Sequence, residues 1–267
     1  FVPGGFTLPE AKTQASWKDL DTIYVGTDFG PGSLTDSGYA RIAKEWKRGT
    51  PLSEASAIYE GKKTDVAVFA YREFDHGKSY DWVGRAPSFF TSEAMLNEQG
   101  KLTKLEKPDD AEADIWGDQL IIRPRTDWLT GATTWPAGSL LATKLADFLA
   151  GKREFSVLFR PTPSTSLDSW VATKNAIFVV ELEDVKSRLY RHTLSKKGWE
   201  RAKVEAPDVG SFSVAAYDED NSDDYWFTES GFTTPATLSL GTAKARQKLK
   251  QAPAFFAAEG VEVNQYF

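Results

Sequence analysis

SWVATKNAIFVVELEDVKSRLYRHTLSKKGWERAKVEA, residues 169–206, decides the fold, because it reads as four strands in a row. SWVATKN is an inner strand ending in turn residues. AIFVVEL and SRLYRHTLS are middle strands rich in β-branched and aromatic residues. GWERAKVEA, loaded with Lys, Arg and Glu, is a twisted outer strand. One unit of about 40 residues therefore builds one four-stranded antiparallel sheet with an apolar face to bury.

Working outward, comparable opening strands occur at TQASWKD (from Thr13), TDVAVFA (from Thr64), DAEADIW (from Asp110), TSLDSWVA (from Thr165) and GSFSVAA (from Gly210). The openers are 51, 46, 55 and 45 residues apart. Periods of about 40 to 50 residues with four strands each are the signature of β-propeller blades. The expected fold is all-β: a propeller of about five four-stranded blades in a single domain, with repeats at 13–63, 64–109, 110–164, 165–209 and 210–259. Period-two alternation in DTIYVGTDF (21–29), DVAVFAY (65–71), QLIIRP (119–124) and PATLSLG (235–241) agrees. Helical spacing is confined to LLATKLADFLAG (140–151), where Leu141, Leu145 and Phe148 predict a short helix capped by Gly151. Packing of one blade on the next accounts for 9 Trp, 9 Tyr and 17 Phe without any ligand.

Composition narrows the function. The chain has 267 residues, 41% hydrophobic and 26% charged, with a net charge of −6. Its basic residues fall in short scattered groups rather than the concentrated face that nucleic-acid binding needs. No apolar run approaches the roughly 20 residues of a membrane span, and no signal peptide opens the chain. Cysteine is absent, which removes disulfides, thiol catalysis and Cys-ligated metal and favours a cytoplasmic setting, with a periplasmic one also open. The first residue is Phe1 and Met95 is the sole methionine, while GVEVNQYF (260–267) ends on an alternating, strand-like pattern. Both features lead us to expect a piece of a longer protein.

Several motifs invite chemistry and fail for want of context. Asp28-Phe29-Gly30, inside TDFGPGSLTDSGY (27–39), resembles a kinase motif, yet neither His76 nor His192 is followed by Arg-Asp. GPGSL lacks the Gly-Lys-Ser/Thr ending of a phosphate loop. No Gly-x-Ser-x-Gly elbow occurs in 1–267, and both histidines read as surface or hydrogen-bonded residues. Asp218, Asp220, Ser222, Asp224 and Glu229 occupy positions 1, 3, 5, 7 and 12 of an EF-hand-like loop. Asp223, however, replaces the turn glycine and a strand follows, so a solvated turn is preferred over Ca²⁺ binding. Asp81-Trp82 and Asp127-Trp128 supply raw material for a sugar-processing site, the alternative enzyme reading. A protein-binding scaffold is the other alternative, although the Gly-His and Trp-Asp dipeptides of WD repeats are missing.

The longest stretches carry a family likeness. FVPGGFTLPEAKTQASWKDLDTIYVGTDFGPGSLTDSGYARIAKEWKRGTPL (1–52), RPTPSTSLDSWVATKNAIFVVELEDVKSRLY (160–190) and LKQAPAFFAAEGVEVNQYF (249–267) resemble the propeller region of bacterial prolyl oligopeptidase-family serine peptidases. The resemblance implies a seven-bladed propeller, of which about five blades are present, covering an α/β-hydrolase domain that carries Ser, Asp and His. It places 260–267 at the start of the crossover to that domain. It implies no catalytic residue, metal or cofactor within this chain, and a propeller that admits short peptides to the enzyme. By its position, the loop with Asp28, Asp36 and Tyr39 is expected on the substrate or interdomain face. Five blades left alone are expected to close on themselves as a smaller ring.

Overall fold

The computed structural model describes residues 3–184 and 186–264 and is built almost wholly of antiparallel sheet. Five sheets of four strands follow one another along the chain. The first runs Gln14–Trp17, Thr22–Gly26, Ile42–Lys47 and Ser56–Glu60. The second runs Ala67–Asp75, Lys78–Ser88, Thr91–Glu98 and Lys101–Lys104. In both, each strand pairs with the next in sequence.

The third sheet is Glu112–Trp116, Gln119–Arg123, Leu140–Lys144 and Ser156–Phe159. A two-stranded hairpin, Trp128–Thr130 with Thr133–Trp135, is inserted between its second and third strands. The fourth runs Thr165–Ala172, Ala176–Glu183, Lys186–Ser195 and Gly198–Val204. The fifth runs Ser211–Ala216, Tyr225–Ser230, Thr237–Gly241 and Arg246–Gln251.

By contacts the chain forms two compact units, residues 1–118 with 144–153, and residues 119–143 with 154–267. In the first unit, Ile23, Val25, Trp46 and Ala55 make a core on which Phe6, Leu8, Phe29 and Leu52 pack. In the second, alternate residues of four strands meet: Ala176, Phe178 and Val180, Leu189, Phe212 and Val214, Tyr225 and Phe227. Period-two spacing puts each set on one face of its strand. Ala176–Val180 is buried along its whole length, which is why AIFVV is continuously apolar rather than alternating.

Turn chemistry sets the registers. Asp75 pairs with Lys78 across the two-residue turn His76-Gly77, both at positive φ (50° and 72°). Glu98 pairs with Lys101 across Gln99-Gly100, also at positive φ. Turns of this hand match the twist of the flanking strands.

Two sequence expectations need correction. The short helix expected near 140–150 is present as a single turn, Leu145–Leu149, but the first part of the stretch forms a strand, Leu140–Lys144. Leu140, Leu141 and Ala142 are buried on both faces of their sheet and pair with Ser156–Phe159. Complete burial removes the periodicity that separates strand from helix, so sheet pairing prevails. Gly151, at φ 87°, ends the turn as expected, donating to the Phe148 carbonyl. At the other end, residues 261–264 form no strand, because alternation without a pairing partner satisfies no backbone groups. Residues 265–267 of that pattern lie outside the described residues.

Candidate functional site

The excursion between strands Thr22–Gly26 and Ile42–Lys47 is tied together from within. The Asp28 carboxylate accepts hydrogen bonds from the Gly30 amide at 2.8 Å and the Ser33 hydroxyl at 3.1 Å, while Ser33 Oγ accepts the Phe29 amide. Such side-chain acceptors close Asx-type turns. The Arg41 guanidinium holds the Gly32 carbonyl, and Thr35 Oγ1 donates to the Val66 carbonyl at 2.9 Å. Asp36 donates its amide to the Lys63 carbonyl and sets its carboxylate 3.6 Å from the Lys63 ammonium. Lys12 lies 4.3 Å from the centre of the Tyr39 ring and donates to the Ser37 carbonyl.

Asp28, Asp36 and Tyr39 therefore share one internally bonded excursion, each with its own partners. The arrangement suits a shaped surface rather than a reaction centre. Ser33 and Thr35, at 4% and 5% exposure, are the residues that make it rigid. A sequence reading passes over them because small hydroxyl residues are common in any loop.

The acidic stretch 218–224 is also a closed turn. Asp218 accepts from the amides of Asp220 and Asn221 and from the Asn221 side chain, and Ser222 Oγ accepts the Asp224 amide. Glu229 sits within the following strand, opposite Phe212 and Thr237. Among the described residues no group of three or more His, Asp or Glu is arranged to hold a metal ion.

Asp223, which takes the place of the turn glycine, instead joins two sheets. It reaches from the fifth sheet to the fourth and accepts from Thr173 Oγ1 (3.0 Å), the Asn175 amide (2.6 Å) and Asn175 Nδ2 (2.9 Å), with Arg191 at 3.7 Å. Burial alone would push its carboxyl up. The bonds from Asn175 and Thr173, with Arg191, hold it below the ordinary carboxylate range.

Charged pairs elsewhere have structural partners. Asp81 grips Arg72 through two 2.7 Å bonds, and Arg72 also donates to the Lys18 carbonyl. Trp82 Nε1 donates to Glu73. Asp65, 2% exposed, takes Arg85 through two 2.8 Å bonds, and Arg85 continues to Glu93 and on to Lys104. The Arg85 bonds hold the Asp65 carboxyl below its usual value. Asp127 caps the amide of Ala137, and Trp128 and Trp135 pack against Phe155.

The two histidines part company. His76 sits on its hairpin turn with Nδ1 2.9 Å from the Asp75 carboxylate and its ring edge-on to Trp116. His192 is not the surface residue that one of its two readings expected. It is 3% exposed with Nε2 unpartnered, and burial, then the Arg201 charge, lowers its pKa to about 4. Its strand partners are Ile177 on one side and Arg201 on the other, and the first of these pairings is not evident in local sequence.

Comparison with known proteins completes the picture. The prolyl oligopeptidase N-terminal β-propeller domain matches residues 5–251. An uncharacterized peptidase of Sinorhizobium fredii is 32% identical over 279 residues, covering 100% of this chain and 38% of the relative. An uncharacterized peptidase of Rickettsia prowazekii is 25% identical, covering 76% of this chain and 29% of its own. The chain thus spans well under half the length of these relatives.

Among solved structures, a post-proline cleaving enzyme from Rickettsia typhi superposes with a TM-score of 0.81 at 22% identity, over 92% of this chain and 37% of that one. Oligopeptidase B from Leishmania major gives 0.58 at 14% identity, over 89% and 34%. These likenesses speak to the fold alone. With the family match running through all five sheets, the chain belongs to the prolyl oligopeptidase N-terminal β-propeller family.

Proposed function

We propose that this chain is the noncatalytic, substrate-gating propeller of a serine peptidase, and that the catalytic Ser, Asp and His reside on an α/β-hydrolase domain outside it. One observation carries this reading. The family match occupies residues 5–251, whereas the relatives named as peptidases extend far beyond the aligned part, 38% and 29% of their lengths being covered. A rigid β-scaffold over an active site restricts entry to short, unstructured peptides and forms part of the cavity that excludes water. The internally bonded loop 27–41, with Asp28, Asp36 and Tyr39, is the surface we assign to the hydrolase-facing side.

The test has two parts. Purified chain is incubated with a chromogenic prolyl peptide and is expected to leave it intact. The coding frame past Phe267 is expected to contain a Gly-x-Ser-x-Gly elbow within roughly 200 residues, the size of one domain. Hydrolysis that persists after removal of contaminating peptidases, or a stop codon directly after Phe267, overturns the proposal.

A further inference from the structure

A cleft of about 330 Å³ lies between the fourth and fifth sheets, within the second unit. Its floor is aromatic: the rings of Phe178 and Tyr225 stand 4.5 Å apart. Tyr225 rests against Gly241, where a Cβ would come 2.1 Å from the ring, so the glycine is what leaves room for this floor. Its walls are cationic. Arg191, Lys203, Lys244 and Arg246 line it against two carboxylates, Glu205 and Asp223. A surplus of positive charge in one cleft stands out in a chain of net charge −6.

The acidic residues do not neutralise that surplus. The Asp223 carboxylate is already engaged by Thr173 and by both nitrogens of Asn175, leaving Arg191 at 3.7 Å. Arg191 Nε is buried with no hydrogen-bond partner. Arg246 is held by the Glu205 carbonyl rather than by a carboxylate and stacks on Phe227 at 3.8 Å. Planar guanidinium groups fixed this way recognise carboxylate or phosphate oxygens. The tight turn at Thr242, whose hydroxyl accepts the Lys244 and Ala245 amides, anchors the Lys244 backbone at the rim.

We propose that this cleft is a binding site for a small organic anion bearing two or more carboxylate or phosphate groups, with Arg191 and Arg246 as the principal contacts and Lys203 and Lys244 at the rim. The volume suits a molecule of small-metabolite size. A ligand there bridges the two sheets and stabilises the folded chain by mass action.

The test is calorimetric titration of the 267-residue chain with citrate and, separately, with inorganic phosphate, at fixed low ionic strength. Saturable citrate binding is expected, weakened by added salt and about tenfold weaker in Arg191→Gln, the loss of one charge-assisted pair. Stronger binding of phosphate than citrate assigns the site to phosphate-bearing ligands, and the reverse to polycarboxylates. Should Arg191→Gln fail to fold, the exposed pair Lys203→Gln/Lys244→Gln decides, with a loss of about threefold to tenfold expected from two rim charges. Lys101→Gln, on the second sheet, is expected to bind as the parent does. Absence of saturable binding to either probe, or unchanged affinity in the cleft variants, overturns the proposal.

Discussion

Between the first and second sheets, Val68 donates directly to the Ala40 carbonyl, and Arg72 bridges Asp81 to the Lys18 carbonyl. Asp65 and Arg85 add a charged pair whose carboxylate is buried. Between the fourth and fifth sheets, eight apolar side chains interlock instead, with Asp223 as a polar clasp at one end. Both junctions join one sheet to the next: the first adds directed bonds and a buried charged pair to apolar residues such as Val68 and Ala43, and the second centres on an apolar cluster with a polar clasp. Stacked sheets thus need a covered face, and more than one chemistry covers it. The two should respond differently to truncation and to acid.

The largest effect is expected at the apolar junction. Phe178→Ala removes a ring from the centre of the eight-residue cluster and should cost about 3–5 kcal/mol, read as a lower urea midpoint with the slope unchanged. A loss under about 1 kcal/mol would mean that area does not hold this junction. At the charged junction, Arg85→Ala strands the buried Asp65 carboxylate and should cost about 3 kcal/mol, with Asp65→Leu/Arg85→Met recovering most of it. If the double variant is no better than the single, the pair contributes more than the neutralisation of its own charges.

Acid should separate the two regions by pH. His192 in the second unit has a folded pKa lowered to about 4 from 6.5, so the unfolded chain binds the proton first. The neutral histidine's contribution is complete above about 6.5 and disappears as pH falls toward 4, a swing of about 3 kcal/mol. His192→Leu should flatten the stability profile in that window.

Asp65 in the first unit has a lowered carboxyl pKa. Its contribution persists above 3.8 and is lost only as pH falls below that value. A single acid transition with no loss between 6.5 and 4 would remove His192 from the account. The smallest effect belongs to the clasp: Asp223→Ala leaves Thr173 and Asn175 without their acceptor and should cost about 1–2 kcal/mol by thermal melting.

Much of the fold was legible because strands record burial in their alternation. TIYVG, ATLSLG and the sheet of residues 165–204 could be read directly, and some of the aromatic residues pack between sheets, as Phe178 does on Tyr225, while others such as Phe89, Phe90 and Phe232 are exposed. Leu140–Lys144 was misread because a strand buried on both faces carries no period. The inserted hairpin Trp128–Trp135 went unseen, since three-residue strands are too short to alternate. Of the candidate surface, TDFGPGSLTDSGY was recognisable as a loop of turn formers, and Asp28 does accept a backbone amide, whereas the Asp36 carboxylate faces the Lys63 ammonium. The roles of Ser33, Thr35 and Asp223 were not legible, because each is defined by a partner distant in sequence or by the closure of a turn.

The amino-acid sequence alone determined that this chain forms repeated four-stranded sheets and belongs with the prolyl oligopeptidase propellers, since both rest on local alternation and on long linear motifs. Tertiary structure alone decided that Asp223 clasps two sheets, that His192 is buried without a partner for Nε2, and that Arg191 and Arg246 share a cleft. The physical reason is distance along the chain. Hydrogen bonds, charge pairing and desolvation depend on which residues meet in space; Asp223 meets Asn175 across 48 residues of chain, and Arg191 and Arg246 share their cleft across 55.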